Sequence, residues 1–120
     1  EIVSLAQQAL EREDIDVALQ VEPLEEVIST MLEGMKLRHI RRLQSGVCTL
    51  EMGFIINDLI NNFERVAAHC SNVALAVLEL RYADLQFHNY ARGVRQGDQP
   101  EFRKWLAFYQ TKYLKSIPTA

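Results

Sequence analysis

The chain has 120 residues, of which 48% are apolar and 24% charged, and its formal net charge is −3 from 13 basic and 16 acidic side chains. That length holds one domain around one core, burying roughly two-thirds of the surface exposed by the unfolded chain. The mixed, slightly acidic balance excludes the broad basic footprint of a nucleic-acid binder, and no apolar run approaches the ~20 residues that span a bilayer as a helix.

The few glycines are badly placed for hairpins, and no segment alternates apolar and polar residues between turn signals, so the reading is all-α. Residues 2–10 form a short amphipathic helix through Ile2, Leu5, Ala6, Ala9 and Leu10. A charged stretch follows, and Asp14 is placed to cap the next helix. In that second helix Ile15, Ala18, Val21, Leu24, Ile28, Met31, Met35, His39 and Arg42 step by three or four, and Leu43 closes the stripe. Pro23 either starts this helix near its first turn or kinks a longer one, because it has no backbone donor.

Residues 44–48 form the next turn, with Gly46 suited to a left-handed position. Thr49 or Cys48 then begins a third helix, with Glu51 in its favoured first turn. Its seam is Met52, Ile56, Leu59, Phe63, Val66, Cys70, Val73, Val77 and Leu80, the spacing of a long helix packed in a bundle. So short a link makes the two long helices antiparallel neighbours. Residues 92–100 read as a turn, and a last helix over residues 100–116 presents Phe102, Trp105, Leu106, Phe108, Tyr109, Tyr113 and Leu114 to the core until Pro118 stops it.

Two stretches carry a family likeness: residues 38–54 (RHIRRLQSGVCTLEMGF) and residues 61–74 (NNFERVAAHCSNVA). With residues 21–28 (VEPLEEVI) they resemble PhoU domains, in particular the cytoplasmic PhoU-like tails of bacterial sodium/phosphate cotransporter-type proteins. The resemblance covers about residues 15–80. It implies an all-α antiparallel helical bundle: one three-helix repeat, with residues 2–10 as a short extra N-terminal helix. It also implies a non-catalytic regulator of phosphate transport and homeostasis that contacts a phosphate transporter's membrane domain or its regulatory proteins.

The family's metal motif is an acid followed four positions later by aspartate on one helix face, a pair able to hold a hard cation. Here Glu25 is followed by Ser29, and Glu64 by Ala68, so each pair keeps one carboxylate. Two readings remain. Glu25 and Glu64 hold a divalent or iron-type metal weakly, helped by Asn61, Asn62 or His69, or they lie on a solvated face with partners such as Arg65 or Lys36, while Ser29 and Ala68 serve close helix packing. No cofactor is expected on the second reading.

His39, His69 and His88 lack the spacing of di-iron or zinc ligands and read as hydrogen-bonded interior or boundary residues. Cys48 and Cys70 form no CxxC pair and read as reduced core thiols, which fits a cytoplasmic setting. No nucleophile is paired with a base in the sequence, and no phosphate-cradling loop is present, so an enzyme is not expected. The basic run of residues 36–42 complements the end of its helix and offers a contact for anionic lipid or an acidic partner.

The chain starts at Glu1, not Met, and reads as a single domain over residues 1–120 taken from a longer protein, with the inner face of the cell membrane as its implied place. A repeat without its tandem partner exposes apolar surface, which predicts homo-oligomers. A structural oligomerisation bundle with no link to phosphate is the remaining alternative.

Overall fold

The computed structural model describes residues 1–81 and 99–115. Among the described residues the regular structure is four α-helices and a π-helical turn, with no strand. Helix α1 spans Ile2–Arg12 and ends at Glu13, whose left-handed backbone (φ 48°) turns its N–H onto the Ala9 carbonyl. Asp14 then caps α2, Ile15–Gln44, by accepting a hydrogen bond from the Val17 N–H at 3.2 Å. The chain therefore reverses in two residues, laying α1 against both long helices.

Pro23 neither starts nor ends α2. The helix begins two turns earlier and runs through it, with the ring fully buried in the core. One carbonyl a turn upstream loses its usual donor, and the packing of the ring holds the helix in place.

The next turn follows the sequence closely. Gly46 is left-handed (φ 73°), and Thr49 Oγ1 accepts from the Met52 N–H at 3.2 Å to open α3, Leu50–Arg81. Two contacts fix the register of this hairpin. Ser71 donates its hydroxyl hydrogen to Glu22, and His39 closes on Gly53, where an added Cβ would meet the imidazole Nε2 at 3.2 Å. Counting inward from these contacts, Glu25 lies level with Ala68, and Ser29 with Glu64.

The core sits in the lower half of the hairpin, where Ala9 and Ala6 of α1 meet Ala18, Val21 and Leu24 of α2 and Ala67, Ala74 and Leu78 of α3. Small residues let the helices approach closely. The predicted α3 seam is only partly right. Cys70 and Val77 are buried, but Met52, Leu59, Phe63, Val66 and Leu80 are exposed. The buried residues include Gly53, Ile60, Ala67, Ser71, Ala74 and Leu78, of which Gly53 and Ser71 meet α2. Close packing selects that small-residue row, and α1 is too short to cover the upper part of the large apolar stripe. Arg42, placed on the α2 stripe by its spacing, is exposed in the last turn.

Helix α4, Pro100–Tyr109, packs on α2 and passes into a π-helical turn, Gln110–Leu114. The wider turn keeps Tyr113 stacked on Tyr109, at 6.3 Å between centroids, while the Tyr113 hydroxyl and Lys112 both reach Glu1. Phe102 and Tyr109 are buried as the pattern predicts, but Phe108 points outward and is half exposed. The predicted turn at residues 92–100 lies outside the described residues except for its last two, and His88 and Pro118 also lie outside them.

Candidate functional site

The residues singled out by the acidic motif lie on the open face between α2 and α3. Glu25 and Glu64 are both half-buried, and the register sets them about one helical turn apart, ~6 Å along the axis. Each is opposite the small residue that stands in for the other carboxylate. Ser29 and Ala68 are exposed, so they do not serve the close helix packing expected of them. Gly53, Ala67, Ser71 and Ala74 fill that role.

Glu64 has a cation of its own. Lys36 Nζ lies 2.7 Å from Glu64 Oε1 across the helix pair, with both side chains a little over one-third exposed. Arg65, the nearer basic residue in sequence, is exposed on α3 and points elsewhere on the helix circumference. Glu25 differs. Burial, then the neighbouring carboxylates Glu22 and Glu26, push its pKa above the ordinary carboxylate value. Glu22 is held by Ser71, a contact the acidic motif did not reveal. Its sequence signal is the small-residue row of α3, which includes Ser71 and turns toward α2.

The family's metal motif does not fit these residues. A shared cation needs several carboxylate oxygens converging at one level, whereas the register provides one carboxylate per level and Lys36 neutralises one of them. Among the described residues no group of three or more His, Cys, Asp or Glu side chains gathers to hold a metal ion. His69 is exposed, as are Asn61 and Asn62.

His39 is buried as predicted, at 6% exposure, and its Nδ1 has no hydrogen-bond partner among the described residues. The imidazole lies against Gly53 of α3, with Nε2 on the Gly53 side. Both cysteines are free thiols. Cys70 is buried, with its pKa pushed up chiefly by that burial, and Cys48 is half-exposed at the turn, not in the core.

The exposed part of the α3 stripe lines two joined apolar grooves. One, of about 360 Å³, lies between Val3 of α1, Met31 and Met35 of α2, and Phe63 and Val66 of α3. The second, of about 420 Å³, continues past Val3 and Val66 toward Leu10, His69 and Val73. Val3, Phe63 and Val66 are each about half exposed. No described helix is long and apolar enough to cross a membrane.

Comparison with curated proteins and with solved structures gives no match. The PhoU domain family model matches residues 1–77, which takes in α1, all of α2 and most of α3. The matched span includes α1, so the helix read from sequence as an addition lies within the domain. Close to two-thirds of the chain fits this one model: the chain belongs to the PhoU family.

Proposed function

We propose that the chain is a non-catalytic regulatory module of inorganic phosphate transport and homeostasis, acting through helix-face contacts with a phosphate transporter's membrane domain or with its regulatory proteins. The observation that carries this reading is the PhoU match over residues 1–77, together with the uncovered apolar groove that runs across the matched helices. A regulator that works by contact needs a surface of this kind, with apolar anchors bordered by polar residues. The same groove is the natural seat for homo-oligomer formation. The setting that goes with this reading is the cytoplasmic face of the cell membrane, and the sodium/phosphate cotransporter context belongs to it as well.

Glu25 and Glu64 act, on this reading, as charged groups of the contact face and not as metal ligands, since Lys36 supplies the cation at Glu64. The test is phosphate uptake in cells whose native copy carries Phe63→Asp and Val66→Asp. Loss of phosphate-dependent control of uptake, with the variant still helical by circular dichroism, is the expected result. Unchanged control would overturn the reading, as would near-stoichiometric metal in the purified chain for the assignment of Glu25 and Glu64.

A further inference from the structure

Among the described residues, the bundle above the core thins to the α2–α3 hairpin alone. Within residues 36–55 only His39 and Gly53 are buried, each against the other's helix. The apex is unusually apolar for an uncovered end: Val47 in the turn is 77% exposed, and Leu50 and Phe54 on the first two turns of α3 are 72% and 67% exposed. Leu37 and Ile40 on α2 and Met52 on α3 are about half exposed. Phe54 follows Leu50 by four residues and shares its face, whereas Met52 lies two residues away on the other side. The exposed apolar groups therefore surround the apex and do not form a strip on one face.

The charge of the apex is opposite in sign to that of the chain. Residues 37–55 hold Arg38, Arg41 and Arg42 against the single carboxylate Glu51, in a chain of net charge −3. Arg42 and Arg38 stand roughly 3 and 9 Å back from the end of α2, given the helical rise per residue. Phe54 sits ~6 Å behind Leu50 by the same measure. By position Arg42 starts at about the height of Leu50 and ahead of Phe54, but helical side chains lean toward the N-terminus. That lean carries the α2 guanidinium groups back from the apex, with Arg38 Nη1 beside Gly34, and the α3 apolar groups forward, in the layering of an anionic membrane surface. There, apolar side chains enter the headgroup–acyl boundary to a depth of about 5–10 Å while basic groups meet phosphates.

We propose that the α2–α3 apex is a docking tip for an anionic lipid surface, with Val47, Leu50 and Phe54 entering the acyl boundary and Arg38, Arg41 and Arg42 engaging lipid phosphates. A lipid surface fits better than an acidic protein because it envelops a convex apex, whereas a protein partner covers one face of a helix pair. The apex is separate from the α1–α3 groove, and the proposal does not rest on the phosphate reading, since vesicles contain no transporter.

The test is sedimentation of the chain with vesicles of phosphatidylcholine alone and of phosphatidylcholine with phosphatidylserine at about three to one, an anionic surface of the kind that attracts basic segments. Binding to the anionic vesicles only, weakened by added salt, is expected. Arg41→Glu with Arg42→Glu should lower the partition at least about tenfold, and Leu50→Ser with Phe54→Ser should lower it by a similar factor. All four positions are exposed, so circular dichroism should show unchanged helicity. Absence of preference for anionic vesicles, or binding indifferent to both pairs of substitutions, overturns the proposal. So does binding of polyglutamate without binding of vesicles, which would assign the apex to an acidic protein, or self-association through the apex without vesicle binding.

Discussion

Lys36 Nζ stands 2.7 Å from Glu64 Oε1, reaching across from α2 to α3 on the face where an acid pair is half lost. An ammonium group thus neutralises a carboxylate whose motif partner is missing. The pair is partly exposed, so its own contribution is small, about 0.5 kcal/mol. Its consequence is for ligands. Native chain titrated with divalent cation in a calorimeter should show no saturable heat. A variant with Ser29→Asp, Ala68→Asp and Lys36→Ala places two carboxylates at each level and should bind the cation. If the native chain binds as tightly as this variant, the ion pair has no such role.

Glu25 carries the one strained charge of the site. The folded chain raises its pKa above the ordinary value of 4.5, by burial first and by Glu22 and Glu26 second. For an acid shifted this way the folded state keeps a proton that the unfolded state has released. Stability therefore declines as pH rises from about 4.5 through the raised value. Glu25→Gln should stabilise the chain at neutral pH by about 0.5 kcal/mol, the size of a like-charge pair relieved on a helix. The gain should vanish below pH 4. Thermal melts at both pH values check it, and a destabilised variant at neutral pH would contradict it.

His39 and Gly53 meet across the upper hairpin. Burial of an unpartnered Nδ1 costs free energy that an apolar side chain of similar size avoids. His39→Leu should therefore stabilise the chain by about 1 kcal/mol in urea titration. Gly53→Leu should do the opposite, losing about 2 kcal/mol, because even a Cβ there meets His39 Nε2 and Leu43 Cδ2 at 3.2 Å. Loss of stability in His39→Leu would mean that Nδ1 has a partner in solution.

Tyr109 ties α4 to α2. Its hydroxyl donates to Gln20 Oε1 at 3.0 Å, and burial, with Glu1 as the lesser cause, pushes its pKa up to about 12. The folded state favours the neutral phenol, so this stability is present below pH 10 and is lost as pH rises from there through about 12. Tyr109→Phe should cost about 1 kcal/mol for the lost hydrogen bond. In ultraviolet titration of tyrosinate it should remove a component that ionises at about pH 12.

How much of this was legible in the sequence depends on how local each cause is. The helix class, the Asp14 cap, the left-handed Gly46 and the Thr49 start each depend on a few neighbouring residues, and all were readable. Of the two readings open for Pro23, a helix start or a place inside a longer helix, only tertiary packing selects the second, because burial of its ring among residues distant in sequence outweighs its local penalty. The π-helical turn after Tyr109 had no local signal, since it accompanies contacts of Lys112 and Tyr113 with Glu1 at the other end of the chain.

By itself the sequence determined that α3 has a large apolar stripe and a row of small residues, and that the acid pairs at Glu25 and Glu64 are half gone. Only tertiary structure decided which row packs: helices approach where side chains are small, so Gly53, Ala67 and Ala74 turned inward and Phe63 and Val66 were left exposed. It also decided that Lys36 reaches Glu64, because a contact between separate helices depends on register, which spacing along one helix does not contain.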